Sequence, residues 1–156
     1  MEVTRVFDVP GARAGTAGSL LVVYYAGRTT LQTLEALDVA QGALVKQHQN
    51  ISSLTVIGQA GMERPDEQVR DRSLALSKKY EANVRASAIV VNTRGIGAVM
   101  VRTFLSAFFL LNQSKMQIKV FASVNEALKF LHGFDGTDTS YRDVGADDVL
   151  RFCDAK

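Results

Sequence analysis

The chain has 156 residues, of which 47% are hydrophobic and 22% are charged, and its formal net charge is +2. This length suits a single domain with its own core, and this composition excludes a disordered chain. The basic residues form no run and do not alternate with aromatic residues, so the sequence predicts no nucleic-acid binding.

The first quarter of the chain predicts two strands followed by a helix. Val3 to Val9 alternates as a strand does, and Pro10-Gly11 ends it. The small, glycine-containing residues 11–18 predict a flexible link. Leu20 to Tyr25 is a continuous apolar run of the kind found in a buried strand. Thr29 or Thr30 can cap the helix that follows.

The middle of the chain repeats this order of strand and helix. Residues 53–57 predict a third strand. Pro65 and Asp66 resemble the first turn of a second helix, because proline suits that turn and acidic residues suit its positive end. The apolar spacing of that helix predicts a buried side formed by Val69, Leu76 and Tyr80. Residues 86–91 predict a fourth strand.

The closing part predicts a fifth strand over residues 117–121 and a capped helix. Ser123 and Glu126 have the spacing of a capping box. The helical spacing of its apolar residues predicts a buried face formed by Val124, Ala127, Leu128 and Leu131. Residues 135–156 hold three basic and six acidic side chains. They predict an extended acidic arm that ends in a helical turn or two carrying Val149, Leu150 and Phe152.

Strands that alternate with helices require crossover connections and therefore a largely parallel sheet. We predict an α/β fold with a mixed, largely parallel sheet of about five strands and four main helices. The whole chain, 1–156, is predicted to be one domain. Its core spans about residues 3–132, and residues 133–156 form the acidic C-terminal arm.

This order of elements, together with Ile118 to Leu131, resembles STAS domains. The resemblance is closer to the branch grouped with lipid-binding SEC14-like proteins, in which a strand ending in Val-Phe leads into a capped helix with an Ala-Leu pair. It implies a STAS-like sheet, no cofactor and action by docking to a partner protein. Anti-sigma-factor antagonists of this family carry a phosphorylated serine after the third strand. The matching stretch here, 58–65, has no serine or threonine, so that switch is not carried over.

Residues able to support catalysis or metal binding form no recognisable set. His48 and His132 are predicted near helix ends, without cysteine, histidine or carboxylate at metal-ligand spacing. No Gly-x-Ser-x-Gly motif positions a nucleophile. Acidic neighbours raise the pKa of a thiol, which argues against a nucleophilic Cys153. The sequence therefore predicts neither an enzyme nor a metal site.

A glycine-containing turn after the fourth strand is a candidate site for an anion or other ligand. Its residues are Thr93, Arg94, Gly95 and Gly97. Backbone N–H groups at a strand-to-helix turn can hold an anion, and Arg94 adds positive charge. The glycines also suit a tight turn with close packing of helix on sheet, which is the simpler interpretation. The dinucleotide fingerprint is incomplete, because Met100 stands where its third glycine would be.

The segment after this turn predicts a helix that is apolar around most of its surface. Nine of its thirteen residues from Val99 to Leu111 are large and apolar. A helix packed on one sheet face needs an apolar stripe of only about 100°. The surplus predicts a contact surface that includes Met100, Phe104, Phe108 and Phe109. The C-terminal arm, a second copy of the chain in a homodimer, or a small apolar ligand could cover it, in that order of preference.

The predicted function follows from these features. Cys153 is the only cysteine and cannot form an internal disulfide, which favours a reducing compartment. The N-terminus lacks the layout of a signal peptide, and the most apolar stretch is too short for a membrane span. We predict a cytoplasmic, non-enzymatic regulatory or protein-binding module that forms a homodimer, with a further partner of unknown identity. A carrier or sensor of a small apolar or anionic ligand is the alternative.

Overall fold

A computed structural model describes residues 1–58, 66–91, 117–134 and 140–155 of the chain. The strands are β1 (Thr4–Val9), β2 (Ala12–Ala17), β3 (Leu20–Tyr25), β4 (Ile51–Ile57), β5 (Val84–Val91) and β6 (Gln117–Phe121). The helices are α1 (Leu31–His48), α2 (Glu67–Tyr80), α3 (Val124–Gly133) and α4 (Ala146–Asp154). None of the helices in these ranges combines the length and the apolar character needed to cross a membrane.

The six strands form one sheet in which spatial order equals chain order. β1, β2 and β3 pair as an antiparallel meander, and β3 to β6 pair in parallel. The predicted α/β fold with a mixed, largely parallel sheet is therefore confirmed, with one strand more than expected.

Helices cover both faces of the sheet. On one face, Leu21 and Val23 of β3 pack in a cluster with Leu34 of α1 and Leu76 of α2. On the other face, the neighbouring strand positions join residues of α3 and α4, including Leu128. This division follows from the strand itself, because successive side chains of a strand point to opposite faces. β3 is apolar at four consecutive positions because both of its faces are buried.

β2 corrects the prediction that residues 11–18 form a flexible link. Small residues occupy this strand because another element packs tightly against it. A Cβ atom on Gly15 would lie 2.7 Å from a Val3 methyl and 2.8 Å from the ring of Phe152. The positive φ of 57° at Gly18 allows the close turn into β3. Gly15 therefore reflects close packing against side chains that are distant in sequence.

The C-terminal residues contribute to the main core. Val149 is fully buried, Phe152 is 6% exposed, and both belong to the cluster between α3, α4 and the sheet. The phenolic oxygen of Tyr141 lies 3.0 Å from Ser52 Oγ and 3.2 Å from the carbonyl oxygen of Leu131. The α4 helix and the turn before it thus pack on the sheet through buried apolar and hydrogen-bonded contacts.

Arg13 of β2 fixes the end of α4. Its guanidinium donates to the carbonyl oxygens of Phe152, at 3.3 Å, and of Ala155. These carbonyls belong to the last turn and the end of the helix, where cations are favoured. A charged side chain on a strand of small residues therefore has a structural role.

The predicted helix starts agree with the structure. Thr30 caps α1 by accepting from the Thr33 amide, Asp66 caps α2 through Val69, and Ser123 caps α3 through Glu126. The residues predicted to be buried in α2 and α3 are all buried. The predicted apolar helix over 99–111 and most of the stretch at 58–65 lie outside the described residues.

Candidate functional site

A surface groove runs between α1 and α2. We call it the α1–α2 groove, and it is lined by Asp38, Val39, Gly42, Ala43, Lys46, Lys79 and Tyr80. It forms because β3 and β4 are each followed by a helix on the same face of the sheet, so these helices pack side by side. A Cβ atom on Gly42 would lie 3.1 Å from the Tyr80 hydroxyl. Gly42 therefore leaves space for that hydroxyl to approach α1.

Asp38 is the centre of a polar network that joins the two helices. Its Oδ1 accepts from Lys79 Nζ at 2.8 Å and from the Tyr80 hydroxyl at 2.6 Å. Its Oδ2 accepts from Arg72 at 3.3 Å. The Asp38 side chain is only 19% exposed, so two cations and a hydroxyl surround a carboxylate that water reaches in part. The network fixes the register of α1 against α2 at this point.

The pKa shifts in this network reinforce the ordinary charge states. Hydrogen bonds from Lys79 and then Tyr80 lower the pKa of Asp38. The hydrogen bond to Asp38 raises the pKa of Lys79. Burial, followed by the bond to Asp38, raises the pKa of Tyr80. An acid–base catalyst works best with a pKa near the operating pH, and all three values move away from neutrality. The network is therefore suited to holding a surface in shape.

Val39 is the most exposed large hydrophobic residue among those described, with 75% of its surface accessible. It lies on α1 in the groove, beside the charged network. A single exposed apolar side chain is common on protein surfaces. Here it stands between Asp38 on one side and Gly42 and Ala43 on the other. The groove thus presents an apolar centre with charged borders.

A second polar cluster lies on the opposite face, at the amino-terminal ends of β3 and β4. The His132 ring lies 5.6 Å from the ring of Tyr141, and its Nε2 is buried without a hydrogen-bond partner among the described residues. Ser140 Oγ lies 3.0 Å from Ser19 Oγ and accepts from the Ser19 amide at 2.9 Å. These contacts hold the turn before α4 against the sheet, so their role is structural.

Two further titratable groups among the described residues have strongly raised pKa values. Burial, with a smaller contribution from Asp154, raises the pKa of the Cys153 thiol to about 12. Burial likewise raises the pKa of Tyr25 to about 12. Burial therefore raises the pKa of Cys153 more than the acidic neighbours predicted from the sequence do. Within the described ranges, no three His, Cys, Asp or Glu residues come together as a metal site would require.

The site residues predicted from the sequence all lie outside the described residues. They are the candidate anion-binding residues Thr93, Arg94, Gly95 and Gly97 and the candidate contact residues Met100, Phe104, Phe108 and Phe109. Both sets remain predictions. β5 ends at Val91, so residues 92–97 follow the carboxyl end of a parallel strand in the chain.

Sequence reasoning missed the α1–α2 groove, although one signal for it was present. Tyr80 was predicted on the buried side of α2, and a buried tyrosine hydroxyl usually requires a polar partner. Asp38 is an acidic residue in the mostly apolar centre of α1 and could have been proposed as that partner. The spacing of 41 residues between Asp38 and Lys79 places them on different helices, beyond the reach of a periodicity argument.

The mixed six-stranded sheet with helices on both faces, together with a surface groove, defines an α/β protein of STAS-like fold. A similar solved structure is an uncharacterised protein of the DUF3478 family from Shewanella loihica PV-4, which has a SpoIIAA-like fold. The TM-score is 0.58 at 16% sequence identity, over 78% of this chain and 94% of that one. At this identity the likeness shows the fold alone. No protein-family profile and no curated protein matches the sequence.

Proposed function

We propose that the protein is a non-enzymatic, regulatory protein-binding module of the cytoplasm and that its described contact surface is the α1–α2 groove. The observation that carries the proposal is the groove itself, in which Val39 is 75% exposed beside a network fixed on Asp38. Apolar residues with a polar border are typical of protein contact sites. A preformed surface also reduces the ordering cost of binding.

The titratable groups support a contact role over catalysis. Asp38, Lys79 and Tyr80 neutralise or bond one another, and their pKa values are shifted away from neutrality. The Cys153 thiol is buried. Catalytic sites instead bring together groups with pKa values tuned toward the working pH. The lone, buried cysteine is also consistent with a reducing compartment such as the cytoplasm.

The alternative function is a carrier or sensor of a small apolar or anionic ligand. It depends on Arg94 and on the predicted apolar helix over 99–111, which lie outside the described residues. The two functions differ in what accompanies the protein in the cell. A binding module is isolated with another polypeptide chain, whereas a carrier is isolated with a small molecule.

Native mass spectrometry of the tagged protein, isolated from its own cells, tests the proposal. We expect a complex with at least one further chain beyond the 17.0 kDa polypeptide, and loss of that chain in Val39→Glu. The control is Val6→Glu, since Val6 is 47% exposed but lies on the edge strand β1, away from the groove. A bare 17.0 kDa polypeptide, or one carrying a small organic molecule, would overturn the proposal. If the complex survives the Val39→Glu substitution, the further chain does not bind at the α1–α2 groove.

A further inference from the structure

Four residues of α1 form one straight stripe along the outer side of the helix. They are Glu35, Val39, Gly42 and Lys46, at successive spacings of four, three and four residues. At about 100° per residue these positions fall within roughly 60° of one another around the helix axis. We call this set the α1 stripe. Spacings of four and three are those of the contact seam between two helices.

The α1 stripe is acidic at one end, basic at the other and apolar between them. Glu35, Val39 and Lys46 are exposed. Glu35 and Lys46 make no ion pair with any residue that the structure describes. Lys79 and Arg72, which lie near the stripe, are already paired with Asp38. The stripe itself therefore offers a partner one negative charge at its start and one positive charge near its end, and the Asp38 network beside it keeps one positive charge in excess, because two cations share one carboxylate.

This charge order is complementary to itself when a second helix runs in the opposite direction. A two-fold axis midway between residues 40 and 41 places Glu35 of one chain opposite Lys46 of the other. The same axis places Val39 opposite Gly42. Both pairs occur twice, as the symmetry of a dimer requires. The Tyr80 hydroxyl lies 3.1 Å from where a Gly42 side chain would begin, so the Val39 side chain of the other copy would pack on the flat surface that Gly42 and this hydroxyl form.

We propose that the occupant of the α1–α2 groove is a second copy of this chain, in an antiparallel α1–α1 pair related by two-fold symmetry. The proposal rests on the proposed function, because it names the partner of the same surface. Asp38, Lys79 and Tyr80 hold α1 in register against α2, so each stripe is presented on a rigid support. One valine and one glycine per chain make a small seam, and the dimer should dissociate on the order of micromolar.

Charge exchange tests this arrangement in the purified full-length protein by sedimentation equilibrium at low ionic strength. Glu35→Lys places two lysines together at both ends of the seam, and Lys46→Glu places two glutamates together. Each should raise the dimer dissociation constant about tenfold or more. The double variant restores opposite charges at both ends and should return the constant to within about threefold of wild type. High salt should reduce all these differences, because both pairs are exposed.

Lys129→Glu is the matched control, since Lys129 is exposed on α3, on the other face of the sheet. It should leave the dissociation constant unchanged. Circular dichroism and melting temperature establish that each variant is folded. Val39→Glu provides a second disruption of the seam that does not depend on the charge pairs, and it should also give monomers.

Three results would overturn the proposal. The first is a wild-type protein that is monomeric at about 100 μM, which is ten to a hundred times the expected dissociation constant. The second is a dimer that neither single charge variant weakens. The third is a double variant that stays monomeric. A dimer that neither charge variant weakens would place the self-association surface elsewhere, with the predicted helix over 99–111 as the next candidate. If the purified protein is a monomer but its cellular complex contains a different chain that Val39→Glu removes, the proposed function stands and the second copy is excluded.

Discussion

Removing one hydroxyl from Tyr80 tests whether the Asp38 network holds α1 against α2. Tyr80→Phe deletes the donor that lies 2.6 Å from Asp38 Oδ1 and leaves the ring in place. A hydrogen bond to a charged acceptor contributes about 1.5–3 kcal/mol. Asp38 is 19% exposed and keeps Lys79 and Arg72 as partners. We therefore expect a loss of roughly 1–2 kcal/mol in the free energy of unfolding.

The pKa of Asp38 determines how the effect of Tyr80→Phe changes with pH. The folded state lowers the pKa of Asp38 below its ordinary value of 3.8. A group with a depressed pKa stabilises the folded state at pH values above its unfolded pKa, and that stability is lost as pH falls through the folded pKa. The difference in the free energy of unfolding between wild type and Tyr80→Phe should have its full size at pH 7. It should shrink below about pH 3.8, as Asp38 becomes protonated.

Urea unfolding followed by circular dichroism at pH 7 and pH 3 measures both effects. The midpoint should fall at pH 7 without a change in the m-value, and melting should occur roughly 2–8 °C lower. Tyr24→Phe is the control, because the Tyr24 hydroxyl makes no hydrogen bond within the described part of the chain. A loss below 0.5 kcal/mol at pH 7, or a loss of equal size at both pH values, would refute the reasoning.

Two further predictions concern the packing of α4 on the sheet, and both are read from urea unfolding. Gly15→Ala should lower the free energy of unfolding by about 1–3 kcal/mol, because the added methyl group would overlap Val3 and Phe152. Its control is Gly133→Ala, which should be neutral or stabilising, because a methyl group at Gly133 would have no atom within 4 Å. Phe152→Ala should cost about 3 kcal/mol or more by leaving a cavity. Leu150→Ala should cost far less, because Leu150 is 36% exposed on the same helix. Equal losses in either matched pair would contradict these assignments.

Local sequence signals account for the elements that were predicted well. α3 combines a capping residue, Ser123, with four apolar positions at helical spacing, and every one of those positions is buried. α2 likewise begins at a side-chain cap, Asp66, and its buried positions Val69, Leu76 and Tyr80 form one face. In both helices, local conformational preference and packing require the same residues, so the spacing of the apolar residues is enough to predict the helix and its buried face.

The parts that were missed depend on contacts between distant residues. β2 resembles a link because glycine and alanine are unfavourable in an isolated strand, and the close contacts of Val3 and Phe152 explain the glycine at position 15. Arg13 of β2 bonds a carbonyl 139 residues away. The Asp38 network is also non-local, since its partners lie on the next helix. No pattern of spacing within one segment contains this information.

The order of the strands explains why a groove between helices forms beside β3 and β4. In an open parallel sheet, a ligand crevice forms at the carboxyl edge where successive connections diverge to opposite faces. β3 and β4 lie side by side, and both are followed by helices on the same face, so no such divergence occurs between them. Those two helices instead pack against each other and leave a groove on their outer side. Asp38 joins the two helices at the floor of this groove, and Val39 remains exposed beside it. In the proposed dimer, recognition at this surface would depend on shape and on the order of charges along the α1 stripe.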